Sequence, residues 1–327
     1  MRIAYLGPEG TFTHEAVRRW VGARSVGARS ADARSGDGDV AQQPLATVRE
    51  VHDAVASGAA DRGVVAVESS VEGYVVPSLD ALLGSPDVVA VDEVVLDVSF
   101  DAFVRPGHAD PSGLREATAH PHGLAQCTRF VAERNLLPVP ASSNAAACRD
   151  LADHQVAFGP RLCGELYGLE TLATGVEDFA GARTRFVVLC RRDDATAAWA
   201  PVRAAGREAW HTMLAVTPVV TGPGVLARVT AEFAERGVNM SSLVERPLKV
   251  RESQYVFVVT LDGAPWEPQV RDLFAALLAA GDSLKVLGAF PVAPGGRGLD
   301  GVLPDHVPTG SVLGGDDDAA VARGLLW

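Results

Sequence analysis

Thr184 and Arg185 stand side by side just before the apolar run Phe186-Val187-Val188-Leu189, which places a hydroxyl and a guanidinium at the mouth of a predicted strand. A preorganised hydroxyl can hydrogen-bond to an oxygen that gains charge as a bond breaks, and a guanidinium can grip a carboxylate through two parallel bonds. Three other segments have the make-up of anion sites. Gly7-Pro8-Glu9-Gly10-Thr11-Phe12-Thr13 leads from a strand into a helix, and its small residues let backbone N–H groups and two hydroxyls approach an anion at the helix N-terminus. Glu68-Ser69-Ser70-Val71-Glu72-Gly73-Tyr74 follows a second apolar strand in the same way. Ser142, Ser143 and Asn144 precede Ala145-Ala146-Ala147, where a serine also serves simply as a helix cap. Strand-to-helix turns need Gly, Ser and Thr for structural reasons too, so none of these segments decides anything alone.

The elements that must carry them alternate between short apolar runs and helix-like stretches, which predicts an α/β domain. Strands are expected at Arg2 to Leu6, Arg62 to Val67, Val88 to Val98, Phe100 to Val104, Ala117 to Ala119, Gln155 to Gly159 and Arg185 to Leu189. Helices are expected at Thr13 to Trp20, Thr47 to Ser57, Ser78 to Leu83, His122 to Glu133, Ser143 to Ala152 and Arg161 to Tyr167. Residues 22–39 repeat Ala-Arg-Ser amid Gly and Asp, and read as a surface loop. After a linker at 193–208, the pattern becomes βαββαβ over 209–291, which makes an antiparallel sheet with two helices on one face. Residues 292–327, rich in Gly, Pro and Asp, are expected to form a tail without a core of its own.

The 327 residues allow roughly two or three domains, and 47% hydrophobic with 21% charged residues exclude global disorder. With 29 basic against 41 acidic residues the net charge is −12, and no basic cluster interrupts it, which argues against a nucleic-acid partner. No apolar stretch approaches the roughly 18 residues of a membrane span, and the short opening run does not read as a signal peptide, so a cytoplasmic protein is expected. Cys127, Cys148, Cys163 and Cys190 lack zinc-site spacing and are expected to be buried thiols.

Taken together and in this order, Gly7 to Ala16, Glu68 to Gly73, His120-Pro121 with Gln126-Cys127, Leu166-Tyr167-Gly168-Leu169 and Thr184-Arg185-Phe186 resemble the prephenate dehydratase family. The Gly222 to Pro247 region is similar to the ACT regulatory domain that commonly follows it, and the likeness spans about residues 1–291. The resemblance implies a bilobal catalytic domain built like periplasmic binding proteins. One lobe would be 1–76 with 179–192 and the other 77–178, with the active site between them. It implies a small dicarboxylate substrate, loss of water and carbon dioxide, and phenylpyruvate as product in phenylalanine biosynthesis. Electrons from the broken carbon–carbon bond enter the ring as hydroxide leaves, so neither a metal nor an organic cofactor is implied. Thr184 would assist the leaving oxygen, Arg185 would pair with a substrate carboxylate, and Phe186 would complete the motif. Gly10, Thr11, Phe12, Thr13, Glu68, Ser69, Ser70, His122, Ser142, Ser143 and Asn144 would bind substrate. Phenylalanine would be the effector, on Gly224, Val225, Leu226, Val244, Glu245, Arg246 and Pro247, in a homodimer or homotetramer.

The chain departs from the family at polar positions. Ser69 stands where asparagine is usual, Ala119 for serine, His122 often for glutamine, Asn144 for threonine and Ala182 for asparagine. Val244-Glu245-Arg246-Pro247 replaces Glu-Ser-Arg-Pro, so valine stands for a carboxylate and glutamate for a hydroxyl in the effector motif. A divergent dehydratase accommodates these changes. So does a paralogue that acts on a related cyclohexadienyl acid or decarboxylates without losing hydroxide, with His122 as a titratable donor. A third reading is a non-catalytic amino-acid sensor, and an effector motif so altered also fits a domain that serves only assembly.

Overall fold

The computed structural model describes residues 1–28, 40–206, 209–248, 254–292, 311, 312, 315 and 317–325. The chain divides into two compact units, Met1–Ala293 and Pro294–Trp327.

The first unit opens with β1 (Arg2–Leu6), α1 (Phe12–Ala28), β2 (Ala41–Leu45), α2 (Val48–Ala56), β3 (Arg62–Ser69), β4 (Gly73–Tyr74), α3 (Val76–Gly84) and β5 (Val88–Asp97). A second group follows: β6 (Asp101–Val104), β7 (Glu116–Ala119), α4 (Pro121–Ala125), α5 (Thr128–Glu133), β8 (Leu137–Pro140), α6 (Asn144–Arg149), β9 (Gln155–Gly159), α7 (Leu162–Tyr167) and β10 (Glu170–Ala173). The chain returns through β11 (Arg183–Arg191) and α8 (Ala195–Ala204). It then forms β12 (Trp210–Thr217), α9 (Val225–Glu235), β13 (Met240–Pro247), β14 (Tyr255–Asp262), α10 (Pro268–Ala279) and β15 (Ser283–Pro291). In the second unit lies α11 (Asp318–Leu325).

Two sheets result. One runs β13-β14-β12-β15-β5-β11-β3-β1-β2, with β4 beside β3, and the other runs β10-β6-β9-β7-β8. In the first lobe β1 and β3 are parallel, while the returning β11 is antiparallel to both β3 and β5. Its two faces have separate cores. Ile3, Tyr5, Val94, Leu96, Phe186 and Val188 meet α1, whereas Ala4, Val65, Val187 and Leu189 meet α2 and α3. In the C-terminal βαββαβ unit, Val225, Val229, Phe233, Val270, Leu273 and Leu277 pack the two helices on one face of a four-stranded antiparallel sheet. Among the described residues no helix is long and apolar enough to cross a membrane.

Several expectations need correction. The first lobe does not end at residue 76: β5 pairs with β11 along its whole length, so α3 and β5 belong to the first lobe and the chain crosses at 98–100. A continuous apolar run marks a strand buried on both faces but not which sheet accepts it. The expected linker contains α8, whose Trp199 donates its indole N–H to the Ala289 carbonyl at 2.7 Å. The helix expected over His122 to Glu133 is broken at Gln126 and Cys127 into α4 and α5. Residues 22–28 continue α1 rather than forming a loop, and 29–39 lie outside the described residues. Part of the expected tail is α11, with Asp317 accepting the Ala320 N–H at its start.

Candidate active site

Because β1, β3 and β5 run one way and β11 the other, the C-terminal ends Leu6, Ser69 and Asp97 share one edge of the sheet with Arg183 and Thr184. The second sheet contributes a matching edge. Its parallel strands β7, β8 and β9 end at Ala119, Pro140 and Gly159, from which His120 to His122, Ala141 to Asn144 and α7 follow. Contacts across the gap show that the two edges face each other. The Tyr167 hydroxyl donates to the Glu9 carbonyl at 2.7 Å and the Cys163 thiol to the Gly10 carbonyl at 3.2 Å. Glu72 lies 3.7 Å from His122 Nδ1 and accepts from the Gln126 amide at 3.5 Å, while Phe12 and Phe100 meet edge to face at 5.4 Å.

Most of the expected anion-binding groups hold the loops instead. The Gly10 N–H donates to His14 Nδ1 at 3.0 Å, and with φ at 83° and Cys163 and Tyr167 close by, the position favours glycine. His14 stacks on Tyr5 at 5.1 Å, and burial lowers its pKa below the ordinary value, which keeps the accepting nitrogen free of a proton. Thr11 caps α1, accepting the His14 N–H at 3.2 Å and donating toward the Pro8 carbonyl at 3.1 Å. Thr13 is buried, and Phe12 packs on the second lobe. The Ser69 hydroxyl accepts the Val71 and Glu72 N–H groups at 3.3 Å, and Ser70 accepts the Arg183 N–H at 2.9 Å.

On the second lobe, Ser143 caps α6 by accepting the Ala146 N–H at 2.9 Å, and Ser142 is exposed. Asn144 turns inward, its Oδ1 accepting the His120 N–H at 2.9 Å beside Gly123, where a Cβ would sit 2.5 Å from that oxygen. His122 is exposed and pairs with Glu72 only when protonated. The departures Ala119 and Ala182 are both buried.

Thr184 and Arg185 separate. Thr184 pairs in register with Leu96, which with Phe186 belongs to the α1 face; its half-buried hydroxyl has no hydrogen-bond partner among the described residues. Arg185 points to the other face, where Nη2 lies 3.2 Å from Glu68 and Nε 3.9 Å from Glu93. Alternation along a strand dictates this. The expectation that both side chains open into one crevice, with Arg185 on a substrate carboxylate, is therefore corrected. Glu68, expected to bind substrate, is likewise turned to Arg185.

The residues expected to bind an effector come to one end of the C-terminal sheet, because β12 and β13 are both antiparallel to β14. Gly224 opens α9 with φ at 86°, Val225 is core and Leu226 is exposed. Val244 packs toward the first lobe, Glu245 and Pro247 are exposed, and Arg246 forms two bonds to Asp80 of α3 at 3.0 and 3.1 Å.

Comparison with known proteins settles the family. The sequence profile of the prephenate dehydratase family matches residues 3–194. The prephenate dehydratase of Mycolicibacterium gilvum is 35% identical over 301 residues, which cover 90% of this chain and 92% of that protein. The chain belongs to the prephenate dehydratase family. Such enzymes are lyases, and the mixed α/β fold agrees with that of a prephenate dehydratase from Arthrobacter aurescens solved in complex with L-Phe. That structure matches with a TM-score of 0.74 at 27% identity, covering 100% of this chain and 98% of that one. A structure described as GqqA, a novel type of quorum quenching acylase, matches with a TM-score of 0.73 at 26% identity, covering 91% of this chain and 100% of that one.

Sequence reasoning overlooked His14 and Glu72, which hold loops at the crevice, and Glu93, which faces Arg185 on the opposite side of the sheet. His14 carried no signal beyond its place in the first turn of α1. Glu93 did carry one, as a carboxylate within the apolar run Val88 to Leu96. Its side chain is only 1% exposed.

Proposed function

We propose that the chain converts prephenate to phenylpyruvate in the crevice between its two lobes, with the Thr184 hydroxyl as hydrogen-bond donor to the departing oxygen. The observation that carries this reading is the state of the hydroxyls around the crevice. Those of Thr11, Ser69, Ser70 and Ser143 are committed to backbone groups, whereas those of Thr184, Thr13 and Ser142 have no partner among the described residues, and of these three Thr184 stands on β11 at the sheet end that borders the crevice. As the carbon–carbon bond to the ring carboxylate breaks, its electrons enter the ring and the carbon–oxygen bond cleaves. Carbon dioxide leaves, and hydroxide gains a proton to become water. Thr184 is a poor acid, so its part is to stabilise charge on the leaving oxygen. The substrate carboxylates fall to the first-turn N–H groups of Phe12 and Thr13, which have no intrahelical acceptor, and to the Ser142 and Ser143 loop.

An acylase reading needs an activated nucleophile, and no base lies within hydrogen-bond reach of Thr184 among the described residues. The test is the product formed from prephenate, read by mass and ultraviolet absorbance. Phenylpyruvate is expected. A product that keeps the ring hydroxyl would instead establish the decarboxylating paralogue, and no turnover would establish the sensor.

We assign residues 209–291 as an ACT domain with phenylalanine as its effector, supported by the βαββαβ order and by the L-Phe complex of the Arthrobacter protein. Isothermal titration with phenylalanine is expected to show saturable binding. Its absence would leave the domain a role in assembly alone.

A further inference from the structure

We infer that Arg185 and Glu93 are positioning residues for the Thr184 hydroxyl. They belong to an ion cluster on the far face of the sheet that staples three strands together at their crevice end. The inference rests on the role proposed for Thr184 and adds the means by which that hydroxyl is held.

The guanidinium of Arg185, on β11, lies between Glu68 of β3 and Glu93 of β5, so one side chain ties both neighbours of the strand that carries Thr184. The tie falls where the ladder is weakest. Between Arg185 and Phe186 the pairing with β3 slips, Arg185 facing Glu68 and Phe186 facing Ala66, so one residue of β3 is left over. A bulge interrupts ladder hydrogen bonds and lets a strand bend. Thr184 lies beyond it, paired with Ser69 at the last step before the crevice. Pairing with β5 continues unbroken through this end, so the bulge loosens β11 only on its β3 side, the side on which Glu68 meets Arg185.

The cluster is well placed to prevent this. The Arg185 side chain is 20% exposed and that of Glu93 1%, so the charges are little screened by water, and losing the guanidinium removes the positive charge that stands between two carboxylates. A guanidinium suits the task because its positive charge is spread over a plane that lies within ion-pair distance of both carboxylates, which a compact ammonium does not match. On the Thr184 side the hydroxyl makes no tie of its own, and the neighbouring Arg183 is held by Asp97 and Ser70 through exposed contacts.

The test is a cycle of Glu93→Gln, Arg185→Lys and Thr184→Val in the full-length enzyme, with kcat and KM for prephenate measured separately. Displacing a donor by about an ångström costs up to about 100-fold, so Glu93→Gln and Arg185→Lys should each lower kcat by about 10-fold or more, with KM changed less than about twofold. In the Thr184→Val background Glu93→Gln should cost nothing further, because the group it positions is gone. A KM raised about 10-fold at normal kcat in Arg185→Lys would overturn the inference by making the guanidinium a substrate ligand. An equal kcat loss from Glu93→Gln with or without Thr184 would overturn it by showing a general structural effect. The single Thr184→Val variant tests the parent reading on its own.

Discussion

The half-buried Thr184 hydroxyl, with no partner among the described residues, is free to meet solvent or substrate. Thr184→Val keeps the branched shape at the mouth of β11 and removes the donor, so the fold should persist. By comparison with losing one preorganised donor, kcat should fall by about 10² to 10³. Steady-state kinetics on prephenate, with circular dichroism as the control for folding, decide it. Turnover near the parent value would take Thr184 out of the chemistry. That Thr184 and Arg185 stand out together was legible in the motif order of the sequence. Direction was not. The period of two sends neighbours in a strand to opposite faces, and no motif says which face borders the crevice. The loop hydroxyls misled for a related reason: Thr11, Ser69 and Ser143 suit an anion, but the same side chains satisfy exposed N–H groups of turns and helix ends.

At the scale of elements, α2 shows what a sequence announces well and what it conceals. Thr47 caps it, accepting the Glu50 N–H at 3.1 Å, and Val48, Val51 and Val55 give the buried stripe, so its position was readable. By contrast β2, Ala-Gln-Gln-Pro-Leu, has no apolar alternation and carries a proline that only an edge strand tolerates, and it was missed. The stripe of α2 also includes His52, which is 2% exposed, with neither ring nitrogen hydrogen-bonded among the described residues. Burial drives its pKa from 6.5 down to about 4. The unfolded chain then takes up a proton below pH 6.5 that the folded one refuses until about pH 4, so stability falls as pH drops through that window, by up to about 3 kcal/mol. His52→Leu should remove both the unpaired polar group and this loss. Urea unfolding at pH 7 and at pH 4.5 should show the gap between the two conditions narrowing by about 2 kcal/mol in the variant. If parent and variant lose the same stability on acidification, His52 is not responsible.

Across the whole first unit, the decisive pairing is the one between β15 and β5, whose Gly288 and Ala90 stand opposite each other. It joins the C-terminal sheet to that of the first lobe, and the sequence could not reveal it because the partners lie almost two hundred residues apart. The one hint was a glycine inside a strand pattern, which marks close backbone approach. A Cβ at Gly288 would lie 2.5 Å from the Ala90 Cβ and 2.8 Å from its carbonyl oxygen. Two further ties cross the same seam. The Lys285 ammonium donates to the carbonyls of Leu82, Leu83 and Ser85 at 2.9, 2.7 and 2.7 Å, closing the C-terminal end of α3, and Arg246 grips Asp80 one turn earlier. α3 begins two residues after β4, which follows the loop that meets His122 and Gln126, so the C-terminal unit and the crevice lean on the same helix. With a shared sheet and a shared helix, the catalytic lobe and the βαββαβ unit should melt together. Calorimetry of the parent is expected to give one transition for both. Gly288→Val must push β15 away from β5, and should split that transition in two or broaden it while lowering its midpoint. A variant that melts as sharply and as late as the parent would mean that the β15–β5 pairing carries no cooperativity, and that the Lys285 and Arg246 ties to α3 alone couple the βαββαβ sheet to the first lobe.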